Sequence, residues 1–265
     1  MVSSNVLLDS IQIEIGGDNE WPNDAKLFQP YETEQILMPD SANCLAVQAF
    51  LQMANLKYET VYKANAAEMS PTGRVPFIKV GQYLVAELEP IVAFVQNKNI
   101  SLTSNLSDAE KSDMRAYMSL INTVFGNAEN YITWCDPETY SKVTKKRFGS
   151  IHPFPLNHIL VWKKRSATIE RMKALGGKTE QEAVLDDVDL CCQSLSDRLG
   201  DREFFFKSGP TELDALVFGH IFTIITTPLP NNQLNGIVRG FPNLIEHCKR
   251  IDKMFFKTNF SSEWT

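Results

Sequence analysis

Two stretches of this 265-residue chain carry residue types that could do chemistry. In "PDSANCLAVQAFLQMANL" a hydroxyl, Ser41, and a thiol, Cys44, stand near the expected start of a helix. Aligned peptide dipoles at such a start can lower a thiol pKa. The neighbours Ala42, Asn43 and Leu45 bring no cation, and no second cysteine is close. Ser41 as an N-cap and Cys44 as a core residue account for both without chemistry. In "MSPTGRVPFIKVG" the pair Val75-Pro76 opens an apolar run. Proline cannot donate to a strand ladder, so it belongs at an edge or at a special site.

The remaining candidates are weaker. His152 and His158 lie six apart around two prolines, which is no metal-ligand spacing. His220 stands in an apolar helix and reads as a hydrogen-bonded core residue. Asp186, Asp187 and Asp189 read as a solvated helix face. Gly176-Gly177-Lys178-Thr179 lacks the upstream glycine and preceding strand of a phosphate loop. The five cysteines are scattered, with no C-x-x-C, as in a reducing compartment where cysteine serves as a small apolar residue.

Composition sets the outer bounds. At 43% hydrophobic and 22% charged the chain is ordinary globular material. A net charge of −6 gives no sign of nucleic-acid binding. The charge is uneven. Residues 1–25 hold five acids and no base, a net −5. Residues 141–180 hold ten bases against two acids, a net +8. Lys145, Lys146, Arg147, Lys163, Lys164 and Arg165 form the candidate patch for an anionic lipid surface or an acidic partner. The plainer account of that band is a solvated face of flexible lysines. Neither a signal peptide nor an Arg-rich presequence is expected, since the first base is Lys26. No apolar run is long enough to span a membrane.

The elements that must position these residues follow from periodicity. "KLFQ" reads as a strand, and the stretch from Asp40 or Ser41 as a capped helix. "KYETVYK" alternates as a strand. "PFIKV" and "YLVAE" flank Gly81-Gln82, a two-residue hairpin signal. "EPIVAFVQNKN" is a helix with Pro90 in its first turn. This βαβ-ββα order is thioredoxin-like, and in such domains the proline at the Pro76 position is cis.

The predicted divisions are a tail or arm over 1–24, a thioredoxin-like domain over 25–98, a polar linker over 99–106 and an all-α domain over 107–265. The arm, "NVLLDSIQIEI" within it, reads either as a docking segment or as a short strand. In the helical part, Ser107-x-x-Glu110 and Thr179-x-x-Glu182 are expected capping boxes. "HPFPLNHILVW" breaks the helical pattern before a basic helix that ends at Leu175. Thr211-x-x-Asp214 is expected to cap the most apolar helix, and Asn243–Phe256 closes the chain.

On these residues the chain resembles the glutathione transferase fold. "SPTGRVPFIKV…LVAELEPI" is similar to that family's P-x-G-x-V-P…E-S-x-A-I frame, and "PTELDALVF" to its capped core helix. The resemblance implies a Ser after Glu87 to hold the γ-glutamyl carboxylate of glutathione. Leu88 stands there instead. An aliphatic side chain cannot donate to a carboxylate, and an unpaired buried charge is costly.

A narrower resemblance, carried by "SANCLAVQAFLQMANL", "MSPTGRVPFIKVG", "HPFPLNHIL", "LDDVDLCCQSLSDRLG" and "PTELDALVFGHIFTIITTPL", is to the metaxin family, from about Trp21 to about Phe256. It implies a non-catalytic subunit on the cytosolic face of the mitochondrial outer membrane, peripherally attached. The implied partners are a tail-anchored protein of the metaxin 1 type and the β-barrel sorting and assembly machinery. A Miro-type GTPase and a kinesin adaptor are implied for mitochondrial transport. No catalytic residue, cofactor or metal is expected; Pro76, Glu87, Thr211 and Asp214 are expected to serve structure. The alternatives are a divergent glutathione-dependent transferase using Ser41 or Cys44 and a soluble docking module without a mitochondrial role.

Overall fold

The computed structural model describes residues 21–32, 35–178 and 180–256. The arm read over residues 1–20 and the cap read at Thr179 lie outside them. Four strands come first: β1 (Lys26–Gln29), β2 (Glu59–Tyr62), β3 (Phe77–Val80) and β4 (Tyr83–Ala86). They form one sheet in the order β2-β1-β3-β4. The β1–β2 pair is parallel, with Lys26 opposite Glu59, as a crossover through helix α1 (Met38–Met53) requires. The β3–β4 pair is an antiparallel hairpin in which Val80 faces Tyr83 across Gly81-Gln82. Gly81 takes φ +59°, a value most side chains avoid. Helix α2 (Leu88–Gln96) completes the βαβ-ββα unit.

The helical half consists mainly of α3 (Asp108–Asn130), α4 (Leu156–Ala174), α5 (Gln181–Leu199), α6 (Glu212–Thr226), α7 (Gln233–Arg239) and α8 (Pro242–Ile251). Single turns lie between them, and a π-helical turn over Asp252–Phe256 follows α8. The α3 capping box forms: Ser107 Oγ accepts from the Glu110 N–H, and Glu110 Oε2 accepts from the Ser107 N–H at 2.9 Å. Helix α6 is buried on every side from Glu212 to Ile225, which is why its sequence is apolar all round. It packs most extensively against α1. One core cluster therefore runs from Leu27 and Ile78 in the sheet through Phe50 to Phe218 and Ile251.

Three sequence expectations are corrected. Helix α1 starts at Met38 with Leu37 as N-cap, not at Asp40 or Ser41, because Pro39 is tolerated in a first helical turn. Helix α4 starts at Leu156, so only "HPFP" interrupts the pattern. The N-cap of α5 is Glu180. In the polar segment over 99–106, Thr103 and Leu106 are buried, and Ile100 and Leu102 pack on the core.

Candidate functional site

The fold gathers the residues that a thiol-binding frame would use. The Val75–Pro76 bond is cis. The Pro76 carbonyl accepts the Glu87 N–H at 3.1 Å, which fixes the junction between β4 and α2. Glu87 itself sits at φ +71°, ψ 153°, a conformation that costs a non-glycine residue about 1–3 kcal/mol. Its carboxylate is taken by Arg74, whose Nη1 donates to Oε2 at 2.5 Å. Leu88 follows as the first residue of α2, 7% exposed and part of the main core. The position that would greet a carboxylate thus points an aliphatic group inward.

The thiol side of the frame is closed as well. Cys44 is buried in a small cluster with Ile36, Ala66 and Val75. Ile36 belongs to the loop between β1 and α1, and two contacts pin that loop. Gln35 Nε2 donates to the Ala64 carbonyl, and Arg147 Nη1 reaches from the helical half to donate to the Ile36 carbonyl at 3.0 Å. Burial pushes the Cys44 thiol well above its ordinary range, and the nearby acids Asp40 and Glu32 push it further. This is the reverse of the electropositive setting that makes a thiolate. Ser41 lies inside the first turn of α1, half-buried.

A small cavity adjoins it where the two halves meet. The cavity, between Leu37, Thr144, Arg147 and Leu229, holds about 10 Å³, the room of one water. His220 Nδ1 lies 2.7 Å from Glu129 Oε1, both groups buried. Burial pushes the Glu129 carboxyl up, with His220 opposing. His220 is thus the hydrogen-bonded core histidine that its sequence context suggests, while its partner, 91 residues away, had no local signal.

Asp40, half-buried in the first turn of α1, feels the charge of the same Glu129. Burial lifts its carboxyl from 3.8 to about 6, with Lys164 opposing and Glu129 adding. A raised carboxyl binds its proton more tightly in the folded chain. Folding stability from Asp40 is therefore full below pH 3.8 and falls as pH rises toward about 6. Asp40→Asn removes that loss. The variant is expected to gain about 1–2 kcal/mol at neutral pH, and nothing in acid. Denaturant midpoints at the two pH values measure this; an equal gain at both removes the assignment.

The basic band divides in two. Arg147 and Arg165 are structural: besides the Ile36 contact, Arg165 Nε donates to the Trp134 carbonyl at 2.8 Å and its guanidinium lies 4.0 Å from the Tyr140 ring centre. Lys145, Lys146, Lys163 and Lys164 are exposed. The sequence patch is therefore narrower than its charge count. At the far end of the helical half, Asp214 turns back on its own helix start, accepting from the Thr211 N–H and hydroxyl, both at 2.8 Å. Among the described residues no group of three His, Cys, Asp or Glu side chains could hold a metal.

A family model described as "Outer mitochondrial membrane transport complex protein" matches residues 44–165, and one described as "Glutathione S-transferase, C-terminal domain" matches residues 188–251. Human "Metaxin-2" is 48% identical over 96% of this chain and 97% of its own length. The chain belongs to the metaxin family. The "Metaxin-2 homolog" of Caenorhabditis elegans is 37% identical over 85% of this metaxin and 99% of itself. Among solved structures, apo glutathione S-transferase III shares 15% identity at a TM-score of 0.52, covering 88% of this chain and 94% of that one. Glutathione transferase F7 from Populus trichocarpa shares 13% at 0.51, covering 91% and 99%. These last likenesses establish the fold alone: this metaxin has a glutathione-transferase-like fold.

Proposed function

We propose that this metaxin is a non-catalytic subunit of a mitochondrial outer-membrane complex for protein import and β-barrel assembly, working as a scaffold. The observation that carries the proposal is the filled site: Leu88 is buried where a glutathione carboxylate would be held, and Ile36 is buried in one cluster with Cys44 and Val75. An enzyme needs an accessible, polar frame at that point. Here the frame's backbone survives and its polar contact does not. The family description of residues 44–165 supports the outer-membrane setting. Among the described residues no helix is long and apolar enough to cross a membrane, which suits peripheral attachment through a partner. The partners we assign are a tail-anchored metaxin of the metaxin 1 type and the barrel-inserting machinery. A Miro-type GTPase and a kinesin adaptor would extend the same scaffold to mitochondrial transport.

The test is a pull-down of the native protein from mitochondria. The tail-anchored metaxin and the barrel insertase are expected to come with it. The purified chain is expected to pass through immobilised glutathione, and Leu88→Ser alone to leave that unchanged, since Cys44 stays buried with Ile36. Conjugation of glutathione to an electrophile at transferase-like rates, abolished by Cys44→Ser or Ser41→Ala, would instead establish the enzyme.

A further inference from the structure

Helix α4 carries an apolar face that nothing in the described chain covers. Its inward side, with Val161 and Met172 buried, packs on the helical half. Its first two turns point the other way with Leu156 44%, Ile159 56% and Trp162 68% exposed, and Phe154 just before them is 80% exposed. At about 100° per residue, Leu156, Ile159, Trp162 and Lys163 fall on one side of the helix. Phe154 does not wave free, since its ring meets His158 edge-on at 5.9 Å. Four large apolar side chains exposed over Phe154–Trp162 mark a contact surface.

Charge says what kind of surface. Between Ser141 and Ile169 the chain has seven bases and no acid. Two of them, Arg147 and Arg165, turn inward, and Lys142 pairs with Glu138 Oε1 at 2.6 Å; Lys145, Lys146, Lys163 and Lys164 stay exposed. A second copy docking on this face would set lysines against lysines with no acid between them. An anionic lipid surface satisfies both features: lysines reach the headgroups, and Trp and Phe settle at the headgroup–acyl boundary. The apolar stretch ends after two turns, giving way to Lys163, Lys164 and Glu170, so the helix can lie on a bilayer but not enter it deeply.

We infer that the N-terminal half of α4, led by Phe154, Ile159 and Trp162, is a monotopic contact with anionic phospholipid. The inference rests on the outer-membrane reading above and adds a lipid contact to attachment through partners. It is tested with the purified full chain and vesicles of phosphatidylcholine, with or without phosphatidylinositol. The chain is expected to sediment with the anionic vesicles, and added salt to release it. Phe154→Ser with Trp162→Ser is expected to lower the bound fraction about tenfold or more, and Lys163→Glu with Lys164→Glu to remove the preference for anionic lipid. Fluorescence quenching by lipids brominated along the acyl chain is expected to fall in Trp162→Phe, a readout that misfolding would not mimic when circular dichroism is unchanged. Failure of the wild type to bind anionic vesicles overturns the inference, as does equal binding by the serine variant. A serine variant that binds vesicles normally but loses the tail-anchored metaxin gives the face to a protein instead, and also overturns it. If the variant keeps its partners in the mitochondrial pull-down, the scaffold reading stands whichever way the vesicles decide.

Discussion

Gly219→Ala is expected to lower the melting temperature of this metaxin by about 5 °C, even though alanine is the better helix former. Gly219 lies mid-way along α6, where that helix crosses α1. A Cβ at Gly219 would stand 2.7 Å from the Ala46 backbone nitrogen and 2.8 Å from the Ala46 Cβ, and would press on the Ala42 carbonyl as well. Ala42 and Ala46 are one turn apart, so the obstacle is helix backbone and cannot rotate away. The two helices must separate, and overpacking of this kind costs about 3 kcal/mol, several times the propensity gain. Gly236→Ala is the matched control. Gly236 lies in α7 with open space around it, so alanine there is expected to stabilise by about 0.5–1 kcal/mol. Thermal unfolding of the two variants side by side decides the matter: equal effects would mean that the crossing is not close.

Asp214→Ala is expected to be the most damaging polar change, about 4 kcal/mol or more. The carboxylate is wholly buried and serves three parts of the helical half at once. Oδ2 accepts from the Thr211 N–H and hydroxyl, and Oδ1 from the Phe205 N–H at 3.1 Å and pairs with His247 Nε2 at 2.8 Å. Alanine would strand all of these partners in a dry interior, beside the rings of Phe204 and Phe205 that flank His247. Asp214→Asn keeps one acceptor oxygen and is expected to lose roughly half as much. Urea midpoints rank the variants. Should alanine and asparagine prove equally mild, the network is not what holds α6, α8 and the loop between α5 and α6 together.

Much of this fold is written in short-range patterns. The four-residue strand "KLFQ", the Gly81-Gln82 hairpin and the Ser107 capping box are local events, so local reading finds them. Leu88 was legible for a different reason: its place in a motif is fixed by Pro76 and Glu87, and the wrong residue type stands out. What stayed hidden depends on contacts distant in sequence. Ile36 is one apolar residue in an irregular loop, with no period to announce that it is buried with Cys44. Arg147 and Arg165 look like their lysine neighbours until Ile36 and Trp134 supply carbonyls 111 and 31 residues away. Glu129 sits in a helix with a polar side, and only the approach of His220 shows it to be interior. The start of α1 escapes local reading because a helix entered through Pro39 needs no polar cap.

The crossing at Gly219 has a consequence for how the chain can be divided. Architecture draws a border between a sheet-containing half and a helical half, but the packing runs across it. Backbone meets backbone across the border, Arg147 is stitched to Ile36 over it, and the connecting segment is anchored by Thr103 and Leu106. A proteolytic nick in that segment would leave the pieces clasped. Neither half has a finished surface to present on its own, because each supplies the other's interior. Inheritance must therefore treat the two as one object: exchanging either half for that of a distant relative would demand matching small residues on both sides of the seam.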